Sequence, residues 1–386
     1  MARDKSKNLR VFYFGADMPW QELVVHGFRR RNTCFLQGIV NNNDVDRVYV
    51  VRQASRFGIF KNILGSKKVT NKVKDIYITT LLPERKWIPF SKKLNTLFTS
   101  FLLFCQTGKV NNSSDIIWIY WIQAYLFARK INIRGRYIFD IDHNIIDDDN
   151  LPEGEKVKVA NTLTDIGEKS EYILSASRSM IKWFEAKGFS NCLTARNGID
   201  PSRFQQNLPV PQDLKEIPHP RILYVGTLSK WINTNLLLTL IKQHHEWNFI
   251  FIGGNYKTGL SEKLKNMPNV TLLGFKPAGV VPSYMANVDV GLGMYKDVEW
   301  MDVDSMKFYE YLAANIPVVT TNYHPHIKSD FDQLILSSNK LPEIEKMIGD
   351  ILKKTGQSGK DWGEKAKSFV NNNTWDKRIC EIMDNL

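Results

Sequence analysis

The chain has 386 residues, of which 43% are hydrophobic and 24% are charged. This length fits two or three domains, and the composition is that of a globular protein, which excludes a disordered chain, a fibre and a disulfide-rich miniprotein. Lys and Arg outnumber Asp and Glu by 52 to 40, a formal net charge of +12. No segment approaches the roughly 18 apolar residues of a membrane-spanning helix, and no signal peptide is recognisable at the amino terminus.

Strand-like segments alternate with helical patterns along the whole chain. They are residues 10–15, 47–51, 75–81, 115–121, 136–142, 172–177, 221–226, 248–254, 270–275, 288–295 and 316–322. Residues 205–220 interrupt this pattern with four prolines and predict a linker. We therefore predict an α/β protein with two doubly wound, Rossmann-like domains and a cleft between them, with ligands at the carboxyl ends of the strands.

The positive charge is concentrated near the amino terminus. Residues 1–100 hold 19 basic and 7 acidic residues, whereas the rest of the chain is balanced. The densest part is 52–93, with eleven basic and two acidic residues. This concentration predicts an anionic partner: nucleic acid, a membrane surface or a phosphorylated substrate. A basic surface that serves only solubility is the alternative.

The segment 87–106 has apolar residues at helical spacing, with lysines at its start. The apolar positions are Leu94, Leu97, Phe98, Phe101, Leu102 and Cys105, and the lysines are Lys86, Lys92 and Lys93. The segment predicts either a core helix or a helix that lies in the headgroup plane of an anionic membrane.

A run from Asp302 to Thr321 carries the clearest chemical signal. Asp304 or Ser305 is the predicted cap of a helix that ends at Asn315. Lys307 then falls in the first turn, where a cation opposes the helix dipole unless an anion such as a diphosphate binds there. Glu310 lies on the same face, within reach of sugar hydroxyls. The alternative is an exposed Lys–Glu pair without function.

The run SMKFYEYLAANIPVVTT (305–321) resembles that of GT-B glycosyltransferases similar to glycosyltransferase family four. Further matches are ARNGIDPSRF (195–204), LYVGTLSKWIN (223–233), VTLLGFKP (270–277), DVGLGMYK (289–296) and NNTWDKRI (372–379). The resemblance covers about 195–380 well and the first half weakly. It implies an acceptor-binding domain at 1–204, a nucleotide-sugar-binding domain at 205–365 and, at 366–386, a helix that crosses back to the first domain.

The resemblance assigns donor-binding roles in the second domain. The residues are Gly226, Thr227, Lys230, Phe275, Tyr295, Ser305, Met306, Lys307 and Glu310. Retaining members carry an acid eight residues before the Glu in an EGFG-like run; here that position is Asp302 and the run is absent. DSMK also resembles a group of inverting enzymes that add a uronic acid to a lipid-linked oligosaccharide, so retention and inversion both stay open.

Inversion needs a general base, and the first domain offers one. A predicted strand ends in Asp140, Asp142 and His143, and similar inverting enzymes carry the base at this strand end. Asp142 or His143 is therefore the catalytic base, with the other as its orienting partner; a solvated acidic turn is the alternative. The resemblance also places Gly15, Asp17, His26 and Arg29 at the acceptor diphosphate, while Arg29–Arg31 equally fits a solvated helix face.

These patterns together predict a metal-independent glycosyltransferase that needs no cofactor. The donor is a nucleotide-diphosphate sugar, most simply UDP-linked and including uronic acids. The acceptor is lipid-linked or a growing polysaccharide, reached by a peripheral protein on the cytoplasmic face of the membrane. The alternatives are a non-enzymatic sugar-nucleotide-binding subunit and a basic nucleic-acid-binding protein, although no nucleic-acid-binding motif supports the latter. The absence of GxGxxG and P-loop motifs disfavours a dinucleotide oxidoreductase and an NTPase.

Overall fold

The computed structural model describes most of the chain. The described residues are 8–28, 30–54, 70–79, 91–108, 112–146, 151–204, 208–255, 259–297, 302, 304–321, 324, 326–353 and 360–386. They form two compact units, one of Met1–Arg196 with Ile379–Leu386 and one of Asn197–Arg378.

The first unit is built on a parallel sheet of seven strands. The strands are β1 Leu9–Phe14, β2 Val45–Gln53, β3 Val73–Ile78, β4 Ile116–Tyr120, β5 Arg136–Ile141, β6 Ser170–Ser175 and β7 Cys192–Thr194, in the order β3-β2-β1-β4-β5-β6-β7. The helices are α1 Trp20–His26, α2 Arg31–Asn41, α3 Ser91–Thr107, α4 Ile122–Lys130, α5 Glu153–Lys169 and α6 Arg178–Ala186. The central strand β4 is buried along its full length, because helices cover both faces of the sheet.

The second unit contains a parallel sheet of six strands. They are β8 Arg221–Val225, β9 Asn248–Ile252, β10 Val270–Gly274, β11 Val290–Gly293, β12 Val318–Thr320 and β13 Ile335–Ser337, in the order β10-β9-β8-β11-β12-β13. The helices are α7 Thr234–Gln243, α8 Leu260–Lys265, α9 Val281–Met285, α10 Met306–Ala313, α11 Ile327–Asp330, α12 Leu341–Lys353, α13 Lys360–Asn372 and α14 Trp375–Met383, whose last residues belong to the first unit.

The strand order reverses once in each sheet. In the first sheet β1 lies between β2 and β4, and in the second β8 lies between β9 and β11. Crossovers on the two sides of such a point lead in opposite directions, which leaves a crevice at the carboxyl ends of the two central strands. Each unit therefore has one preferred place for a ligand.

The described part of the predicted linker packs against the second unit. Residues 208–220 belong to the second unit, where Leu214 is fully buried and Asp213 accepts hydrogen bonds from Lys276 and Tyr284. The unit boundary lies at Asn197, before the predicted one at 204/205, because Ile199 exchanges backbone hydrogen bonds with Asn373 and Trp375. The predicted crossing segment 366–386 comprises the end of α13 and all of α14.

Candidate functional site

The loop after β1 lies close to the end of β4. Gly15 follows β1 with φ of +110°, and a Cβ built on it would lie 2.7 Å from the Tyr120 carbonyl oxygen. Only glycine fits this approach without strain. The Gly15 carbonyl accepts a hydrogen bond of 2.8 Å from the Asn32 side chain, which ties this loop to α2.

Asp142 and His143 follow directly after β5 and are joined to each other. His143 Nδ1 lies 2.7 Å from Asp142 Oδ1, and the Tyr120 hydroxyl donates to Asp142 Oδ2 at 2.8 Å. Burial by itself raises the pKa of Asp142, but the bonds from His143 and Tyr120 and the nearby Arg31 outweigh it and lower the pKa below its ordinary value. The Trp121 ring packs edge-on against the His143 ring, with centroids 4.9 Å apart. The carboxylate thus stays ionised and holds the imidazole by Nδ1.

Behind this pair lies a buried ion pair. Arg31 donates to Asp140 Oδ1 through Nε at 3.0 Å and through a terminal nitrogen at 2.7 Å. Both side chains are inaccessible to solvent, so Arg31 is not on a solvated helix face. Burial raises the pKa of Asp140 to about 6, although Arg31 opposes this rise. Of the three predicted strand-end residues, Asp140 therefore has a structural position and only Asp142 and His143 border the crevice.

The predicted acceptor residues are described in part. Asp17 forms an exposed ion pair of 3.2 Å with Arg30 and lies 3.4 Å from the Asn32 amide. His26 ends α1, but its side chain, like Arg29, Lys86, Lys92 and the acidic run 147–149, lies outside the described residues. Gly15, Asp17 and Asn32 are thus brought together, and the roles of His26 and Arg29 stay predictions.

In the second unit, Lys307 lies among tyrosine side chains at the carboxyl ends of β8 and β11. Its Nζ is 4.0 Å from the centroid of the Tyr224 ring and 5.0 Å from that of Tyr295. Burial alone lowers the pKa of this ammonium, but the surrounding tyrosines Tyr224, Tyr295 and Tyr311 raise it above its ordinary value. Within the described part of the chain, no carboxylate lies within ion-pair distance of Lys307. A cation is therefore kept without an acidic partner.

Gly226 lies directly beside this ammonium. It follows β8 with φ of +140°, and a Cβ there would lie 3.0 Å from Lys307 Nζ. Tyr311 fixes the end of β8, since its hydroxyl donates to the Leu223 carbonyl at 3.0 Å and accepts from the Val225 amide at 2.9 Å. The missing side chain at 226 thus leaves room next to the cation.

The start of α10 is held differently from the prediction. Ser305 occupies the cap position, yet it makes no side-chain cap bond; its hydroxyl lies 2.8 Å from the Tyr295 hydroxyl instead. The Asp304 carboxylate accepts from the Asn197 amide at 2.6 Å and from the Tyr309 hydroxyl at 3.1 Å. Ser305 therefore does not bond the first-turn amides of α10 through its side chain. Its other end agrees with the prediction, because Asn315 follows with φ of +59°.

Glu310 lies next to Lys307 but pairs with a different cation. Its carboxylate is 3.7 Å from Arg203 and is only 18% exposed. Burial raises the pKa of Glu310, and Arg203 and Lys307 oppose this rise. The prediction of an exposed Lys–Glu pair is wrong, since Glu310 is largely buried and its ion pair is made with Arg203.

The remaining predicted donor residues surround the same edge of the sheet. Thr227 is exposed and its carbonyl accepts from the Tyr224 hydroxyl at 3.3 Å. Lys230 lies over the Trp231 ring at 4.5 Å, Met306 is half-buried in the first turn of α10, and Phe275 after β10 is 65% exposed. An exposed ring of this size at a strand end is available to a ligand.

Sequence reasoning missed the residues that position these groups. Tyr120 and Trp121 end β4 beside His143, Arg203 pairs with Glu310, and Tyr224 packs on Lys307. The position of each at the end of a predicted strand or within the quoted run 195–204 was a weak signal. Their partners are distant in sequence, so only the folded chain identifies them.

Three further observations concern possible metal sites, membrane-spanning helices and cavities. Over the described residues, no group of three or more His, Cys, Asp or Glu side chains is arranged to hold a metal ion. A search of the same residues for a helix that is long and apolar enough to cross a membrane finds none. A cavity of about 590 Å³ lined by His219, Trp247 and Asp289 lies at the amino ends of β8, β9 and β11, which is the edge opposite Lys307.

Residues 211–369 match the family described as Glycosyl transferases group 1. A curated relative, described as a putative teichuronic acid biosynthesis glycosyltransferase TuaH of Bacillus subtilis (strain 168), is 28% identical over 136 residues. The match covers 33% of this chain and 34% of the relative, so this chain spans about a third of the length of that protein.

Solved structures resemble the whole chain. Anabaena HepE in complex with UDP and glucose has a TM-score of 0.67 at 14% identity and covers 98% of this chain and 100% of its own. Sucrose-phosphate synthase from Thermosynechococcus elongatus has a TM-score of 0.66 at 12% identity, over 98% of this chain and 97% of its own. The chain therefore has the fold of GT-B glycosyltransferases, and residues 211–369 match the group 1 glycosyl transferase family, which confirms the predicted resemblance and fold class.

Proposed function

We propose that the protein is a glycosyltransferase that moves a sugar from a UDP-sugar to a lipid-linked or polysaccharide acceptor. The observation that carries the proposal is the Lys307 ammonium, which is held by tyrosines beside Gly226 and has no acidic partner among the described residues. A cation in such a place favours an anionic ligand. The amide groups at the start of α10 add to this preference, so a diphosphate fits.

The similar proteins favour UDP among the nucleotides. HepE has been solved with UDP, with UDP and glucose and with UDP-glucose, and the description of the Bacillus relative names teichuronic acid biosynthesis. We therefore propose a UDP-hexose or a UDP-uronic acid as the donor and a surface polysaccharide as the product. No metal ion takes part in this mechanism, because Lys307 and the helix amides neutralise the leaving diphosphate.

The remaining predicted donor residues are assigned roles in donor binding from their positions. Glu310 is buried and held by Arg203, which suits a carboxylate that accepts from sugar or ribose hydroxyls. Phe275 packs against the nucleotide base, and Gly226 lets the backbone approach the donor. Thr227, Lys230, Tyr295, Ser305 and Met306 complete the donor pocket.

In the first unit, His143 is the proposed base and Asp142 the residue that orients it. Both Asp142 oxygens accept hydrogen bonds and the pKa of this carboxylate is lowered, so it is a weak base. A carboxylate on Nδ1 fixes the tautomer that leaves Nε2 to take the proton of the acceptor hydroxyl. A base that takes the proton of the acceptor hydroxyl is what an inverting transfer needs, so we propose inversion.

The test is calorimetric titration of the full chain with UDP, GDP, ADP and TDP. We expect selective binding of UDP, and the Lys307→Ala variant is expected to bind it at least tenfold more weakly, because one charge-assisted contact to the diphosphate is lost. Lys187→Ala is the matched control, since Lys187 also lies over an aromatic ring, that of Trp183, at 5.7 Å but far from this site in the sequence and in the other unit.

Two outcomes would contradict the proposal. Binding of UDP that is unchanged in Lys307→Ala removes the phosphate role of this residue. Failure of all four nucleotides to bind removes the donor site, and the alternative of a nucleic-acid-binding protein is then tested by salt-dependent binding of DNA or RNA. Selective UDP binding without any sugar transfer would instead favour a sugar-nucleotide-binding subunit.

A further inference from the structure

Helix α3 has its apolar side chains on the outside. Leu94, Leu97, Phe101 and Phe104 are 43%, 60%, 61% and 50% exposed. Their spacing of three, four and three residues places them on one face of the helix, and we call this set the apolar stripe. The sequence pattern predicted either a core helix or a membrane-surface helix, and four of its large apolar residues are not in the core.

Polar groups hold the opposite face of α3 against the sheet. The Gln106 amide pairs with the backbone of the edge strand β3, accepting from the Tyr77 amide at 2.8 Å and donating to the Tyr77 carbonyl at 2.7 Å. The buried Thr99 hydroxyl lies 2.8 Å from the Asn95 carbonyl and 3.2 Å from that of Ile131. Rotation of α3 to bury the stripe would break these bonds and leave buried polar groups unpaired, which is costly. The outward direction of the stripe is therefore fixed.

Basic residues flank the stripe at both ends. The first turn of α3 holds the exposed Lys93 and no acid. At the other end is a cavity of about 380 Å³, lined by the last residues of α3 together with Arg47, Lys72 and Lys74, which we call the cationic pocket. The described residues that line it include no acid. Lys72 and Lys74 each donate to one backbone carbonyl, of Asn42 and Gln106.

The charge of the cationic pocket is only partly compensated. Burial lowers the pKa of both Lys72 and Lys74; the nearby Asp46 opposes this for Lys72, whereas for Lys74 the neighbouring Arg47 lowers it further. An anion in the pocket would relieve this repulsion. A neutral protein partner would cover the stripe but would leave the pocket charges unmatched, whereas an anionic membrane offers apolar chains and phosphates side by side.

We propose that the apolar stripe and the cationic pocket form a docking surface for an anionic lipid bilayer. The stripe enters the boundary between headgroups and acyl chains, and the pocket takes a headgroup phosphate. Helix α3 has 17 residues and is about 25 Å long, so it lies along the surface without crossing it. The inference rests on the proposed function in one respect, since a lipid-linked acceptor resides in a membrane.

The test is sedimentation of the full chain with phosphatidylcholine vesicles that contain or lack phosphatidylglycerol, without nucleotide. We expect binding to the anionic vesicles that weakens as salt is added. Leu97→Ser/Phe101→Ser should reduce binding about tenfold or more, because two apolar side chains no longer enter the lipid. Val157→Ser is the matched control, since Val157 on α5 is 55% exposed and lies outside the stripe.

The charge contribution has its own variant. Lys72→Ala/Lys74→Ala should weaken binding to anionic vesicles by roughly fivefold for each lysine at low salt. Lys169→Ala/Lys182→Ala, which removes two exposed lysines elsewhere in the first unit, should have a smaller effect. Equal binding by the wild type, Leu97→Ser/Phe101→Ser, Lys72→Ala/Lys74→Ala and the two controls would overturn the assignment of this surface.

Further outcomes separate the inference from the proposed function. If the wild-type chain does not bind anionic vesicles, the proposed docking surface is wrong, even if UDP binding and its loss in Lys307→Ala are observed. Sedimentation that reveals a dimer, converted to a monomer by Leu97→Ser/Phe101→Ser, would mean that a second copy covers the stripe and would also overturn it. Loss of UDP binding in the stripe variant would indicate misfolding, and the pocket variant then decides the question.

Discussion

The two units each hold a buried charge near the crevice of their sheet, but they hold it in different ways. In the first unit, Arg31 is matched inside the protein by Asp140, at 2.7 Å. In the second unit, Lys307 is surrounded by tyrosines, and the carboxylate of the neighbouring Glu310 is paired with Arg203 instead. The first unit thus neutralises its buried cation internally, whereas in the second no carboxylate of the described residues lies within ion-pair distance of Lys307.

This difference suggests a structural role for the charge of Arg31 and, under the proposed function, a ligand-binding role for that of Lys307. A buried ion pair fixes the strand ends and orients what lies in front of it, here Asp142 and His143. The tyrosines around Lys307 raise its pKa, so it stays charged, and under the proposed function this charge is matched by the donor diphosphate. The comparison predicts that changes around Arg31 alter stability, whereas changes around Lys307 alter ligand affinity.

The largest effect is expected at His143. His143→Ala should reduce turnover by about 10²- to 10⁴-fold, the usual contribution of a positioned general base, with UDP affinity nearly unchanged. Asp142→Asn should also reduce turnover strongly, because the amide no longer fixes the imidazole tautomer. The measurement is UDP release from the donor sugar with a membrane lipid extract as acceptor.

The pH profile distinguishes the two candidates for the base. The pKa of Asp142 is lowered, so this carboxylate loses its charge only below the ordinary carboxyl range. Loss of turnover that begins at a pH well above the carboxyl range assigns the base to His143. An acid limb below pH 4 would assign it to Asp142, and full activity of both variants would place the base elsewhere.

A smaller effect, now on stability, is expected from Arg31→Met. Removal of one partner of a buried ion pair costs about 3–5 kcal/mol of unfolding free energy. The cost depends on pH, because burial holds the Asp140 pKa near 6 in the wild type and loss of Arg31 raises it further. The folded state then binds this proton more tightly than the unfolded state, so stability rises as the pH falls through the folded pKa. The deficit should be largest at pH 8 and smaller at pH 5 in urea denaturation.

The control for this variant is an exposed ion pair in the same unit. Arg136 and Glu171 lie 2.6 Å apart and are 26% and 38% exposed. Arg136→Met should cost no more than about 1 kcal/mol, with little pH dependence in the same range. If Arg31→Met is as mild as Arg136→Met, the buried pair does not stabilise the first unit and the comparison fails.

The smallest effect is expected from Gly226→Ala. Its φ of +140° disfavours a side chain, and the new Cβ would lie 3.0 Å from Lys307 Nζ. We expect a loss of about 1–3 kcal/mol in stability from the backbone strain and a severalfold loss of UDP affinity. Gly254→Ala is the control, since a Cβ there meets nothing within 4 Å. Equal UDP affinity of the two variants would show that Gly226 is not beside the donor.

The bounds of the strands show how accurately the sequence predicts the elements of the fold. Segments such as 10–15 and 221–226 are rich in β-branched and aromatic residues, and their strands are found within a residue or two of the expected bounds. The edge strands β7 and β13, of three residues each, were not predicted. The described part of 208–220 was taken for a linker because prolines suppress periodicity, yet Leu214 is fully buried.

The sequence by itself determined the two parallel sheets, the GT-B class, the positions of Asp142 and His143 after a strand and those of Lys307 and Glu310 on one helix, because alternation and local spacing are properties of the chain. It did not determine which charges are paired. Arg31 meets Asp140, Glu310 meets Arg203, and Gln106 turns the apolar stripe of α3 outward by bonding β3. These choices depend on contacts between residues far apart in sequence and on which groups can be desolvated together, and only the tertiary structure supplies both.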